Sequence, residues 1–196
     1  MTLTELQNEV YAITNRPDMA TQTQSAVRNA TLSIHQADYF YKDLFETGID
    51  LEVEDFLQAF DYLNPMPRFR SIKYIRKSDA SGTGDGKFLD IVVPELVTDA
   101  YKINRTDIAY LAGDIIQIKS STPLRYILVG AYVNPDITVA SFSSWVARDH
   151  PFAIVALAAA RIFKQVGKDS EYAVWTGEAR DELNKVRISN IVAKGE

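Results

Sequence analysis

Residues 108–138 read IAYLAGDIIQIKSSTPLRYILVGAYVNPDIT. Apolar residues recur with period two, bounded by polar turn residues, so the stretch spells strands rather than helix. Ala112-Gly113-Asp114 predicts a first hairpin turn, and Ser120 to Leu124 predict a second. The strand 125–133 is apolar on both faces, with Tyr126, Leu128 and Tyr132 on one and Ile127, Val129 and Val133 on the other. One sheet covers only one such face. The other face is expected to meet helices of this chain or a second copy of it. Tyr132 and Pro135 close the run, and from Ser144-Trp145 the period becomes helical.

Towards the N-terminus, Thr2-Leu3-Thr4-Glu5 fits a capping box opening a helix that runs to about Asn15. A second helix is expected from Thr21 or Thr23, with Val27, Ala30, Ile34, Ala37 and Tyr41 on its buried stripe. Residues 45–51 and 56–62 read as two strands. Asn64-Pro65-Met66-Pro67 must turn, because two prolines bar a central strand. Residues 69–77 alternate, placing Ile72 and Tyr74 on one face with Arg70 and Arg76. The glycine-rich 78–86 is a loop, 87–93 a strand with Leu89, Ile91 and Val93 inward, and 94–101 one or two helical turns. Beyond the opening run, Pro151 starts a helix that is apolar nearly all round and stops at Gly167. A last helix from Asp169 or Ser170 has Tyr172, Trp175, Ala179, Leu183 and Val186 on one stripe.

The elements therefore segregate, which predicts an α+β fold. Residues 1–44 and 139–196 are expected to form a helical bundle, and 45–138 an inserted antiparallel β-domain.

The chain has 196 residues, 46% of them hydrophobic and 24% charged, as for one ordinary globular domain with or without an insertion. With no cysteine it has no disulfide, thiolate metal site or cysteine nucleophile. The start MTLTELQNEVY lacks the basic and apolar regions of a signal peptide, and the longest apolar run, 152–160, is too short to span a bilayer. A soluble protein made in the cytoplasm is expected. The net charge of −5 argues against a duplex-DNA binder.

Local charge is more telling. Residues 43–61 hold seven acids (Asp43, Glu46, Asp50, Glu52, Glu54, Asp55 and Asp61) and no base. Residues 68–77 hold five bases (Arg68, Arg70, Lys73, Arg76 and Lys77) and no acid. The two blocks are suited to pair within a sheet or across a subunit boundary.

Residues with catalytic potential do not converge in the sequence. His35 and His150 have no ligand spacing and read as structural or solvent-facing. The glycine-rich GTGDGK fails the phosphate-loop pattern at both ends, with Ser81 and Phe88. No G-x-S-x-G occurs, and Ser143 and Ser144 read as loop and capping residues. No metal or cofactor is expected. Asp50, Glu52 and Glu54 alternate on one strand face and read as a charged edge. A metal-assisted enzyme using the carboxylates of 50–55 remains an alternative. So does a single-strand nucleic-acid-binding module using RFRSIKYIRK, although Tyr74 alone pairs an aromatic well with the bases. Interface residues are the stronger signal: Asp50, Glu52, Glu54, Arg70, Tyr74 and Arg76 as a subunit contact, and the tail bearing Ile188, Ile191 and Val192 among cations.

Several strings, taken in order, resemble the head–tail adaptor (connector) proteins of tailed bacteriophages. They are LTELQNEVYAITNRPD, AVRNATLSIHQADYFYKDL, YLNPMPRFRSIKYIRK, the strand pair YLAGDIIQIKSS and YILVGAYVNPDIT, and SSWVARDHPFAIVALAAARIFKQVGKDSEYAV. They cover most of the chain. Leu63-Asn64-Pro65 departs from the Leu-Pro usual there. The resemblance implies a structural protein without enzymatic activity. It implies a homo-oligomeric ring, typically of twelve copies, beneath the portal in the virion neck. Such a ring extends the channel for genomic DNA without sequence-specific binding and gives the next tail or nozzle protein a platform. It implies assembly in the host bacterial cytoplasm and no membrane. The family's C-terminal segment commonly reaches into the portal, which assigns portal docking to Arg187, Ile188, Ile191, Val192 and Lys194.

Overall fold

The computed structural model describes residues 1–78, 86–97 and 105–194. It is a mixed α+β structure of five helices and one five-stranded sheet that curls into a small barrel. Two compact units emerge, one from residues 1–43 and 134–196, the other from 44–133.

The helical unit is built from both ends of the chain. Helix α1 (Leu3–Thr14) opens with the expected capping box, in which Thr2 accepts from the Glu5 amide at 3.3 Å and Glu5 accepts from the Thr2 amide at 2.7 Å. It ends at Asn15, which adopts a φ of 52°. Helix α2 (Ala20–Gln36) buries Ala26, Val27, Ala30 and Ile34. The stripe ends there; Tyr41 lies past the helix in a short 3-10 turn and is exposed. Ser144 caps α3 (Trp145–Asp149), accepting from the Ala147 amide at 3.2 Å. Helix α4 (Pro151–Gln165) packs against α1, α2 and α5 (Asp169–Lys194). It buries Ala153, Ala156, Ala158, Ala159 and Ala160, whose small side chains let neighbours approach closely. Gly167, at φ 73°, ends it as expected. Along α5, Tyr172, Trp175 and Leu183 pack on the core while Ala179 and Val186 are buried.

The second unit contains β1 (Leu44–Asp61), β2 (Phe69–Ser78), β3 (Phe88–Ile91), β4 (Ile108–Ala112) and β5 (Ile115–Val133). The sheet order is β1-β5-β2-β3-β4, and β4 pairs back onto β5. The closure works because β5 is long enough to serve two sets of partners. Its first part, 115–119, pairs with β4, and 126–133 pairs with β2; β1 runs along the other side of both.

Several sequence expectations are corrected here. Residues 120–124 do not turn. They carry β5 out of its β4 pairing and into its β2 pairing, so their polarity marks a change of partner. The two strands expected in 45–62 are one strand, interrupted by an excursion. Residues 51–54 of β1 stand against Arg125 alone, and 120–123 of β5 stand against Phe56 alone. The two offsets cancel, so Leu44↔Tyr132 and Asp61↔Ile115 belong to one register. Gln58 ties the first excursion to the edge of the second, donating to Val53 O at 2.7 Å and Leu124 O at 2.8 Å. The sheet is not purely antiparallel, because β3 and β4 pair in parallel through Asp90↔Ile108 and Ile91↔Ala109. The opening run's last five residues, 134–138, lie past the end of β5 and within the helical unit. Leu89 is buried as expected, but Ile91 and Val93 are exposed, because only Leu89 of the three belongs to the barrel core.

That core takes Ile127, Val129 and Ala131 from the inner face of β5, with Ile75, Ile116, Ile118 and Ala109. The turn carrying Pro65 and Pro67 tucks a fully buried Met66 beneath it. The outer face of β5 is covered partly by tyrosine rings. A Cβ on Gly130 would fall 2.5 Å from Cζ of Tyr74, and one on Gly48 of β1 would fall 1.7 Å from the Tyr126 hydroxyl. At both glycines a tyrosine side chain occupies the space a Cβ would need.

Candidate assembly surfaces and a buried polar relay

Irregular register in β1 and β2 governs where the expected interface side chains point. Asp50 sits opposite Tyr126 at the last regular pair before the excursion. Its carboxylate accepts from the Glu52 amide at 3.0 Å and lies 3.5 Å from Arg125 Nε. Glu52 then takes a φ of 60°. This left-handed step breaks strand alternation, so Asp50, Glu52 and Glu54 do not share a strand face. All three are exposed.

On β2, register irregularities fall between Phe69 and Ser71 and between Ile72 and Tyr74. They separate Ile72 from Tyr74, whereas Tyr74 and Arg76 stay in one register and keep the shared face expected of them. Arg70 lies within the first irregularity, half-buried; Ile72 packs on the barrel core. Tyr74 crosses the outer surface of Gly130, and its hydroxyl donates to Glu46 Oε2 on β1. The hydrogen bond to that carboxylate, with burial, raises the Tyr74 phenol above its usual range. Arg76 sits opposite Leu128, with its Nε buried and without a hydrogen-bond partner among the described residues.

The acidic strand and the basic strand are thus brought into one sheet, with β5 between them. Lys77 turns elsewhere, pairing with Asp107, which Lys87 also reaches at 2.6 Å. Ser121 adds an amide at 2.9 Å and a hydroxyl at 2.8 Å. Burial alone would raise the Asp107 carboxyl. The hydrogen bonds from Lys77, Lys87 and Ser121 outweigh it and hold the group well below the carboxylate range. Asp107 thereby fastens β2 and the entry to β4 to the place where β5 changes partner.

The C-terminal residues assigned to docking are a continuous extension of α5 rather than a loose tail. Arg187 donates to Ala37 O at 3.3 Å, and buried Asn190 accepts from the Tyr41 amide at 2.9 Å. Ser189 meets His150 at 3.1 Å. Ile188 and Ile191 point outward, 61% and 48% exposed. The side chains of Val192 and Lys194 lie outside the described residues, as does the glycine-rich 79–85.

One constellation was illegible in the sequence. His35 Nδ1 lies 2.7 Å from Asp43 Oδ1, and its Nε2 lies 2.8 Å from Ser144 Oγ. Trp145 Nε1 also donates to Asp43 Oδ1 at 2.7 Å. Serine, imidazole and carboxylate are connected as in a nucleophile relay. However, His35 is 1% exposed and Asp43 5%, and the Ser144 oxygen already caps α3. Sealed in this way, the relay joins α2, the turn before β1 and α3. His35 was expected to be structural or solvent-facing and Ser144 to be a loop or capping residue, but Asp43 lies 8 residues from one and 101 from the other, so no local spacing announced their meeting.

Among the described residues no group of three His, Asp or Glu side chains is placed to hold a metal, and no helix is long and apolar enough to cross a membrane. The carboxylates of 50–55 accordingly form no described metal cluster. The chain matches no protein-family model and no curated protein.

Proposed function

We propose that this protein is a structural virion component, a head–tail adaptor that forms a ring beneath the portal, extends the DNA channel and offers tail or nozzle proteins a platform. The helical unit then serves as a bundle facing the portal, with α5 as its docking element. The β unit, inserted into it, contacts neighbouring copies. Genomic DNA passes through without sequence-specific contact. The location is the virion neck, after assembly in the bacterial cytoplasm.

The observation that carries this reading is the end of α5. Its inward side is spent on Val186, Arg187 and Asn190, while Ile188 and Ile191 face outward. Exposed apolar side chains on a well-anchored helix are the pattern of a helix that lays one face into a partner's groove. They occupy the segment that reaches the portal in the family this sequence resembles. The test replaces both by aspartate, Ile188→Asp with Ile191→Asp. Neither side chain is in the core, so the melting temperature is expected to hold while co-purification with the portal protein is lost. Unchanged portal binding by the folded variant would overturn the proposal.

A further inference from the structure

Strand β1 runs eighteen residues along the outside of the sheet, and β5 is its one strand neighbour among the described residues. Its other edge carries backbone donors and acceptors, flanked by exposed apolar side chains, Val53 at 67% and Leu57 at 64% among them. Folded proteins blunt or cover such an edge, because it templates pairing with another chain. The left-handed step at Glu52 blunts the middle of β1, yet 44–50 and 57–61 keep regular strand register.

Charge decides what covers it. β1 holds Glu46, Asp50, Glu52, Glu54, Asp55 and Asp61 and no base, so pairing β1 with β1 of a second copy would oppose like charges. β2 has the complementary character, with Arg70, Lys73, Arg76 and Lys77 and no acid. Its ladder with β3 is confined to Ile75 and Arg76. Away from β5, the stretch 71–74 has no strand beside it among the described residues.

We infer that neighbouring copies of this chain join by strand addition, the outer edge of β1 in one copy pairing with the 71–74 edge of β2 in the next. This rests on the ring reading and specifies the contact that makes the ring. The junction is heterologous. Each copy keeps one acidic and one basic edge, so assembly propagates and closes if the rotation per copy permits. Main-chain hydrogen bonds supply the affinity, and the charges select β1-to-β2 over β1-to-β1 pairing.

The native chain has no cysteine, so introduced thiols report contacts without background. An Asp50→Cys chain is mixed with a Lys73→Cys chain and bridged with a short bis-maleimide. The expected main product is the mixed dimer, and a chain carrying both thiols should give a ladder of oligomers. The inference is overturned if β1–β1 dimers dominate, or if bridging is no faster than between chains carrying Val174→Cys on α5. A charge exchange supplies the second arm. Asp50→Lys with Asp61→Lys, and Arg70→Glu with Lys73→Glu, should each abolish oligomers seen by native mass spectrometry. Mixing the two variants should restore them, because every junction again opposes acid to base; failure to restore them overturns the pairing. Rings on the portal that survive both reversals would overturn the strand junction and leave the adaptor reading standing. A chain that stays monomeric with and without portal would overturn both.

Discussion

Replacing Gly130 by alanine would set a methyl group 2.5 Å from Cζ of Tyr74. Comfortable carbon–carbon contact lies at about 3.5–4.0 Å, so something must move. The obstacle is a side chain, and the ring is expected to swing off the strand. In doing so it gives up the hydrogen bond to Glu46 that ties β2 to β1 across β5. Overpacking costs about 1–3 kcal/mol, and a hydrogen bond to a charged acceptor contributes about 1.5–3 kcal/mol, less where water reaches it. We expect Gly130→Ala to destabilise the β unit by about 2–3 kcal/mol, and Tyr74→Phe, which keeps the ring, by about 1 kcal/mol. Tyr74→Ala removes the obstacle. In that background Gly130→Ala should cost close to nothing, or stabilise by about 0.5 kcal/mol as alanine replaces glycine in a strand. The double-mutant cycle should therefore show a coupling of about 2 kcal/mol. Urea unfolding followed by fluorescence, with the slope checked for constancy, reads each corner of the cycle. Additive costs would refute the claim that Tyr74 rests on Gly130.

Three further expectations follow from the polar contacts. Asp107→Asn keeps the left-handed backbone at φ 60°, which asparagine tolerates, but leaves Lys77 and Lys87 without their carboxylate, at a cost of about 2–3 kcal/mol by urea unfolding. Because the folded state lowers this carboxyl, its stabilisation is present above the unfolded value near 3.9 and is lost as pH falls through the folded one. The wild type should thus lose stability more steeply than Asp107→Asn on acidification below about pH 4; parallel curves would count against the Asp107 hub. The Tyr74 phenol is raised, so the stability it contributes is present below the unfolded value near 10 and is lost as pH rises through the folded one. Glu46→Gln should bring its ultraviolet titration down towards that value, and an unmoved titration would deny the Tyr74–Glu46 bond. In the buried relay, Asp43→Ala orphans His35 Nδ1 and Trp145 Nε1 and should cost about 3–4 kcal/mol, against about 2–3 kcal/mol for Ser144→Ala, which loses the cap and the contact to His35 Nε2. Equal losses by thermal melting would mean that Asp43 is not the centre of the cluster.

Local chemistry was legible in the sequence wherever it was sufficient to decide structure. Thr2 and Glu5 announced a capping box, Gly113-Asp114 a hairpin, and Gly167 a helix stop, and each is determined within a few residues. The misreadings share a cause. Ser120-Ser121-Thr122-Pro123 looks like a turn because it is polar and contains proline, yet the chain there only leaves one partner strand for another, a long-range event. Residues 52–55 read as a break between two strands because an excursion and a loop have the same composition. Ile72 and Tyr74 were placed on one face by strict alternation, which a register irregularity between them cancels. The relay of His35, Asp43 and Ser144 left no signal, since its members come together only after α2 and α3 have packed. Five of the six proposed interface residues are charged, which composition shows directly, but of the faces that alternation assigned only the one shared by Tyr74 and Arg76 is kept.

The pairing of Leu44 with Tyr132 has a kinetic consequence. The helical unit is split along the chain, with 1–43 made first and 134–196 last. Bringing two such ends together across a flexible segment of 90 residues, 44–133, carries an entropic cost of about 4 kcal/mol. Once β1 and β5 zip, the ends of the insertion stand side by side and the helices on either flank become neighbours without further search. The insertion therefore acts as a folding clamp for the unit that surrounds it in sequence. During synthesis, α1 and α2 emerge long before α4, on which they pack, so the helical unit can be completed only after the barrel strands have been made.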